Sequence, residues 1–148
     1  MITQIEGAAL AEAIRVSPWA YPALEALHIV GIATLFGSLL VLELRVFGAG
    51  RDLPLKALAR LASRTALAGF IIAATSGGLM WSSDATALSA NPAFLTKLAL
   101  ITLAGINAAL FFLRGSPDRA DAAARIQAGA SLVLWAAAIA AGRLIAYV

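Results

Sequence analysis

The chain has 148 residues, 61% of them hydrophobic and 13% charged, with a formal net charge of +3 and no cysteine. Its mean hydropathy is +0.89. Because soluble domains carry about 25% charged residues, this composition excludes soluble globular, disordered and collagen-like chains and predicts one integral membrane domain. With one histidine and no cysteine, the chain cannot by itself form a disulfide, a thiolate metal site or a multi-histidine site.

The N-terminal segment from Ile2 to Ile14 mixes apolar residues with small and acidic ones. This pattern predicts a short helix that lies in the membrane interface before the first span. Glu6 and Glu12 occupy the region where a signal peptide would carry basic residues, so we expect no cleaved signal peptide.

Four apolar stretches follow, and each is long enough to cross about 30 Å of hydrocarbon, which takes about 20 helical residues. They run approximately from Pro22 to Phe47, Leu61 to Trp81, Pro92 to Leu113 and Ile126 to Val148. Their richness in Ala and Leu and their lack of alternation favour helices over strands. The sequence therefore predicts an all-α fold, a bundle of four transmembrane helices in a single domain of residues 1–148.

Each helix start is marked by a capping residue at or just before an early proline. These signals are Ser17-Pro18, Asp52-Leu53-Pro54, Asn91-Pro92 and Ser116-Pro117. They predict that the second helix begins near Leu53 and the fourth near Pro117, both ahead of the hydrocarbon.

The loop charges predict an orientation. Basic residues cluster at the first and third connections, whereas the second, Ser82–Ala90, carries one acid and no Lys or Arg. The positive-inside rule then places the first and third loops in the cytoplasm and both termini outside, in the bacterial inner membrane. The aromatic residues expected at the outer interface are Trp19, Tyr21, Trp81 and Tyr147; the basic ones are Arg45, Arg51, Lys56, Arg60 and Arg64, then Arg114, Arg119 and Arg125. Basic residues between apolar stretches are typical of membrane-protein loops and exclude a nucleic-acid partner.

Small residues recur at every fourth position, as Ala33 with Gly37 and as Gly69 with Ala73 and Gly77. In membranes such spacing lets helix backbones approach closely. We interpret both sets as helix-packing surfaces.

Ionisable groups inside spans are energetically expensive and are functional candidates by default. The predicted topology places polar or ligating groups of all four spans at a comparable depth near the outer side. His28 lies about 9 Å beyond Pro22, and Lys97 about 7.5 Å beyond Pro92, at 1.5 Å per residue. The members of this outer layer are Glu25, His28, Met80, Trp81, Lys97 and Arg143.

The outer layer favours a pocket for a b-type haem. An imidazole nitrogen of His28 can ligate the iron, and the second axial ligand would be Met80 or the His28 of another copy across a two-fold axis. Lys97 and Arg143 would pair with the propionates, and Glu25, which shares a helix face with His28, would tune the site electrostatically.

Glycines near these residues would give a flat macrocycle room: Gly31, one turn from His28, and Gly77 and Gly78 before Met80. Trp81 would border the pocket, although an interface anchor is its simplest role. Two other interpretations stay open. In the first, the layer is a structural cluster in which Glu25 pairs with Lys97 or Arg143 and His28 is hydrogen-bonded to a neighbour. In the second, His28 and Met80 bind copper, which suits imidazole and thioether ligands.

An inner layer of polar residues lies near the cytoplasmic side. Glu43, about one turn before the end of the first helix, is expected to pair with Arg114 or Arg64 and to act as a structural clamp. Asn107, in the middle of the third span, should hydrogen-bond to another helix. The stripe of Lys56, Arg60 and Arg64 is expected to face anionic lipid head groups.

Two segments, SPWAYPALEALHIVGIATLFGSLLVLELRVFG and NPAFLTKLALITLAGIN, resemble a family of small bacterial inner-membrane proteins known only as a domain of unknown function. The resemblance covers most of the chain and all four spans, and it implies the fold but no activity. It is carried by Glu25 with His28, Glu43 with Arg45, and Asn91-Pro92 with Phe94 and Lys97.

The segment LHIVGIATLFGSLLV is more distantly similar to the first helix of copper-resistance D membrane proteins and of haem-binding protoporphyrinogen-oxidase-like proteins. Those helices carry a His followed by a Gly-containing apolar run. The second likeness implies a haem, but this chain has a single histidine, so ligation by two histidines would need two copies.

The sequence thus predicts a homo-oligomeric inner-membrane protein that binds haem b near the outer leaflet, for electron transfer or redox sensing with a periplasmic redox partner. We do not expect it to be an enzyme, because it has no P-loop, hydrolase nucleophile elbow or zinc-protease motif. The alternatives are a cofactor-free accessory subunit and a copper-handling or small-solute transport component.

Overall fold

The computed structural model describes residues 2–116 and 121–147. Over these residues the chain forms helices joined by short connections, with no strand. Four of the helices are long and apolar enough to cross a membrane, which confirms the predicted helical class and the four apolar spans. The helices are α1 (Ile2–Glu6), α2 (Ala9–Val16), α3 (Ala20–Phe47), α4 (Leu55–Ser83), α5 (Ala85–Ala90), α6 (Pro92–Leu113) and α7 (Ala122–Leu144).

The start of α6 lies where its capping signal predicts. The Asn91 side-chain oxygen accepts hydrogen bonds from the backbone N–H groups of Ala93, at 2.9 Å, and Phe94, at 3.1 Å. Pro92 takes the first helical position, where a missing N–H leaves no hydrogen bond unmade. The Asn91 amide also donates to the Ile145 carbonyl at 3.2 Å, which ties the start of α6 to the end of α7.

Other boundaries differ from the sequence signals by a few residues. Helix α3 begins at Ala20, and its N–H donates to the Ser17 hydroxyl at 3.2 Å. Helix α7 is capped by Asp121, whose carboxylate accepts from the Ala124 N–H at 2.8 Å. The start predicted near Pro117, and the basic residue Arg119, lie outside the described residues.

The N-terminal segment and the second connection contain more helix than the sequence predicts. The single helix expected over Ile2–Ile14 is two helices, α1 and α2, which meet at Gly7 and Ala8. The second connection, expected as a loop, contains α5. Because α1 packs on α5, these short helices form a layer over one end of the long ones.

The long helices pack mainly as two pairs, α3 with α4 and α6 with α7, and α3 joins the pairs through α7. Two core clusters each contain residues of all four helices. One comprises Leu42, Val46, Ala59, Ala62, Phe111, Ala124 and Ala128, and the other Leu35, Ala66, Ala104 and Trp135.

Glycines set the close approach of α3 to α4. A Cβ atom at Gly31 would lie 2.6 Å from the Ala73 backbone nitrogen, and one at Gly69 would lie 2.5 Å from the Leu35 nitrogen. Gly69 and Ala73 therefore pack as predicted, but their partner on α3 is Gly31. Gly37 is exposed and has nothing within 4 Å of a Cβ placed on it, so the predicted packing role of Ala33 and Gly37 is wrong within the described chain.

Candidate cofactor site around His28

His28 is half-buried on α3 and lies against α4. Its Nδ1 atom is 2.8 Å from the Ala73 carbonyl oxygen and 3.1 Å from the Ser76 hydroxyl. A carbonyl oxygen can only accept, so we assign the proton to Nδ1, which donates to Ala73. The ring is thereby oriented, and the Nε2 lone pair remains available.

Gly77 provides the space for the imidazole. A Cβ at this position would lie 3.0 Å from His28 Cε1 and 3.4 Å from Nδ1. The Cε1 edge of the ring therefore packs against α4 at Gly77, where a larger residue would displace it. The Nε2 atom has no hydrogen bond within the described residues. It is also not one of their buried side-chain atoms that lack a hydrogen-bond partner, so it is accessible at the protein surface.

Lys97 of α6 is the cation that the structure brings near His28. The side chain lies over Gly142 of α7, where Nζ is 3.2 Å from the position a Cβ would take. His28 and Lys97 both lie within the first three turns of their helices, α3 and α6. Within the described part of the chain the Lys97 ammonium group forms no hydrogen bond or ion pair, so its charge is available to an anionic ligand.

Two other residues of the predicted outer layer point elsewhere. Glu25 is exposed, and the group it influences is Tyr21, one turn earlier on the same helix. Arg143 is exposed, donates to the Tyr147 hydroxyl at 2.8 Å and stacks over that ring at 5.0 Å from its centroid. No ion pair joins Glu25 to Lys97 or Arg143 in residues 2–116 and 121–147, so the predicted ion-pair cluster is not formed there.

Met80 and Trp81 lie at the end of α4 that follows the imidazole. Met80 is half-buried and follows Gly77 by three residues and Ala73 by seven, so all three lie on one helix face. Trp81 donates its indole N–H to the Ser89 hydroxyl at 3.2 Å. That bond attaches α5 to α4, which gives Trp81 a structural contact away from His28.

The glycines expected to make room for a macrocycle have other neighbours. The space beside Gly31 is filled by the α4 backbone, and that beside Gly77 by the imidazole. Gly78 alone of these three has open space around it. Two cavities among the described residues have linings that do not include His28. The larger, of about 360 Å³, is lined by Ile14, Arg15, Ser17, Pro18, Tyr21, Pro22, Ser83 and Asp84.

No group of three or more His, Cys, Asp or Glu that could hold a metal ion occurs among the described residues. A metal bound at His28 would therefore need further ligands other than a cluster of His, Cys, Asp or Glu from the described residues. The contacts that the sequence did not indicate are those of Ser76 and the Ala73 carbonyl. The only signal for Ser76 was a hydroxyl within an apolar span, and a backbone carbonyl leaves no signal at all.

The inner layer is also arranged differently from the expectation. Arg114 donates to the Asp121 carboxylate at 3.2 Å, and Arg64 is exposed. Neither cation forms an ion pair with Glu43, so the expected clamp is not formed within the described chain. Asn107 does bond to another helix, as predicted, donating to the Gln127 carbonyl of α7 at 2.9 Å.

Comparison of the chain with protein-family models, curated proteins and solved structures finds no match.

Proposed function

We propose that this protein is a multi-pass protein of the bacterial inner membrane that binds a b-type haem near the outer leaflet, for electron transfer or redox sensing. The observation that carries the proposal is the anchoring of His28. Histidines that ligate metals almost always donate their other ring N–H to a carbonyl, carboxylate or water, which fixes the tautomer and orients the ligating nitrogen. His28 has this arrangement, with Nδ1 held by Ala73 and Nε2 accessible.

The residues around His28 fit a haem better than copper. A haem brings four nitrogen ligands of its own, so a chain with a single histidine and no cluster of metal-binding side chains can still hold it. Bare copper would need more protein ligands than His28 and Met80 supply. When bound, the haem supplies reversible one-electron chemistry.

The protein's own groups would hold the haem in place. His28 would ligate the iron through Nε2, and Lys97 would pair with a propionate, whose negative charge its ammonium group complements. Met80, on the same α4 face, or the His28 of a second subunit would be the other ligand. Arg143 and Glu25 point away from this region, so we assign them no direct part.

The loop charges support the orientation in which both termini and α5 lie outside. The first connection and its flanks are rich in Arg and Lys, whereas α5 and its flanks carry only Asp84. Trp19 is 80% exposed and Tyr147 is 68% exposed at the same end of the helices. Such rings anchor a protein at the membrane interface.

A second candidate function is that of a cofactor-free subunit in which His28 joins α3 to α4. The packing around Gly31 and Gly77 favours it, because the α4 backbone fills the space beside Gly31 and the imidazole itself fills the space beside Gly77. In that case the two hydrogen bonds of Nδ1 are the purpose of the residue.

Absorption spectroscopy separates the two functions. We expect the wild-type protein, purified in detergent from cells supplied with haem precursor, to show a Soret band and a reduced-minus-oxidised difference spectrum. His28→Ala should abolish both, and Lys97→Met should weaken haem retention. The matched control is Leu27→Ala, on the neighbouring exposed position of α3, which should keep the spectrum.

A folded wild-type protein that stays colourless after haem supply and after reconstitution with hemin overturns the haem proposal. The cofactor-free function, in which His28 joins α3 to α4, then remains and makes its own prediction. His28→Ala should lower the free energy of unfolding of the colourless protein by roughly 1–2 kcal/mol, because it removes two interhelical hydrogen bonds.

A further inference from the structure

Glu43 of α3 lies about 22 Å from His28 along the helix, at 1.5 Å per residue, and has no part in the proposed haem site. Only 5% of the residue is exposed. The Ser131 side chain of α7 lines the same small cavity as its carboxyl group. One carboxyl oxygen, Oε2, is sealed from solvent and has no hydrogen-bond partner within the described residues.

Among residues 2–116 and 121–147, the cations at this end of the molecule are bound or exposed. Arg114 bonds to Asp121 and, at 3.4 Å, to the Gln127 side chain. Arg45, next in reach on α3, donates to two backbone carbonyls of the following loop. The remaining basic residues on the facing elements are exposed: Lys56, Arg60, Arg64 and Arg125. An ionised carboxylate sealed without a cation is so costly that the group takes up a proton instead.

A small cavity adjoins the carboxyl group. Its volume is about 30 Å³, and its polar lining consists of Glu43, Asn107, Gln127 and Ser131. A water molecule needs roughly 10–15 Å³ of such space and two to four polar partners. The Asn107 amide nitrogen donates a hydrogen bond to the Gln127 backbone carbonyl. The side-chain oxygen of Asn107 therefore remains available as an acceptor. The cavity thus has the room and the partners for one water beside Glu43.

Gln127 connects this cavity to the surface. Its side-chain oxygen accepts from the Ser116 hydroxyl at 3.1 Å and from Arg114 at 3.4 Å. Arg114 and Asp121 are partly exposed, with 37% and 41% of their side chains accessible. A continuous polar route therefore leads from the surface to the cavity, next to an otherwise apolar core.

We propose that Glu43 and this cavity form a proton-binding site in which the carboxyl group exchanges its proton with an internal water held beside the Gln127 side chain. The proton on the Glu43 carboxyl passes to the cavity water, leaving a carboxylate and a hydronium ion, and returns by the reverse step. The site would therefore bind a proton, either on the Glu43 carboxyl group or on the water in the cavity. A dehydrated monovalent cation is the competitor that the same oxygen atoms would bind.

Infrared difference spectroscopy of the protein in lipid vesicles tests this site. Near neutral pH we expect the carbonyl stretch of a protonated carboxylic acid in the wild type, shifted in D₂O and missing in Glu43→Gln. The exposed acid Glu12 supplies the matched control, because Glu12→Gln should keep the band. Ser131→Ala should move the frequency of the same band, so the assignment stands even if Glu43→Gln does not fold.

Two results overturn the proposal. One is a wild-type spectrum with no protonated-carboxyl band near neutral pH. The other is a band that disappears when sodium chloride replaces choline chloride at constant pH, because a sodium ion would then occupy the site in place of the proton.

Discussion

At the scale of single residues, the role of a glycine depends on what faces it. Gly31 and Gly37 lie on the same apolar helix, and the sequence pattern of small residues four positions apart favours Gly37, which follows Ala33, as the packing residue. Yet a Cβ at Gly31 would collide with the α4 backbone, whereas one at Gly37 would meet nothing within 4 Å. Backbone atoms of a packed helix cannot move aside as a flexible side chain can, so only Gly31 is sterically required.

We therefore expect Gly31→Ala to destabilise the protein by about 1–3 kcal/mol, because the added methyl group pushes α3 and α4 apart. Gly37→Ala is the matched control and should be neutral or stabilising by up to about 1 kcal/mol, since alanine favours the helix. Unfolding of both variants in mixed detergent micelles measures the difference. Equal stabilities would show that the α3–α4 contact tolerates a side chain and is looser than the structure indicates.

At the scale of elements, a carboxylate of α1 joins this N-terminal helix to α5. Glu6, in α1, accepts hydrogen bonds from the Thr86 backbone N–H at 2.7 Å and from the Thr86 hydroxyl at 2.8 Å. These bonds, the backbone one first, hold the pKa of Glu6 below its ordinary value of 4.5. The charged form is thus the one that binds α5.

The attachment of α1 to α5 should weaken in acid. Because the pKa of Glu6 is lowered in the folded state, its stabilising effect is complete above 4.5 and is lost as the pH falls through the lowered pKa. Hydrogen exchange in residues 85–90 measures this attachment, with the wild type and Glu6→Gln compared at each pH. We expect stronger protection in the wild type near neutral pH and no difference in acid.

Glu12→Gln is the control for this experiment, because Glu12 bonds to Arg15 of its own helix at 2.8 Å and should leave exchange in α5 unchanged. If Glu6→Gln leaves the protection of residues 85–90 unchanged at neutral pH, the Glu6–Thr86 contact does not hold the two helices together.

At the scale of the whole molecule, the proposed orientation determines what each site can reach. With both termini outside, the His28 region faces the outer leaflet and could exchange electrons with a periplasmic partner. Glu43 would then lie toward the cytoplasmic side, where its route through Gln127 would open. The two proposed sites would therefore serve opposite faces of the membrane.

The absence of cysteine makes this orientation simple to test. Ala87, on α5, and Ala49, between α3 and α4, are both exposed and lie at opposite ends of the long helices. A membrane-impermeant thiol reagent should label Ala87→Cys in intact cells and label Ala49→Cys only after permeabilisation. The reverse pattern would move the His28 region to the cytoplasmic face and remove the proposed periplasmic partner.

The sequence alone determined the features that depend on local composition. Four apolar stretches became four long helices because each is long enough and apolar enough, and the boundaries of α6 match because Asn91 and Pro92 act on their own neighbours. The boundary at the start of α3 was less accurate. Ser17 is the acceptor for Ala20 without being the residue that begins the helix.

Only the tertiary structure decided which side chains meet. Two residues that are three positions apart on a helix point in directions about 60° apart. Glu25 and His28 could therefore be assigned to one helix face from the sequence, although in the structure the carboxylate is exposed and the imidazole packs on Gly77. The long helices are apolar nearly all round, so their hydropathy carries no signal for which face packs inward. Three features form only when the chain has folded: the contact of His28 with the Ala73 carbonyl, the cavity at Glu43, and the ion pair between Arg114 and Asp121.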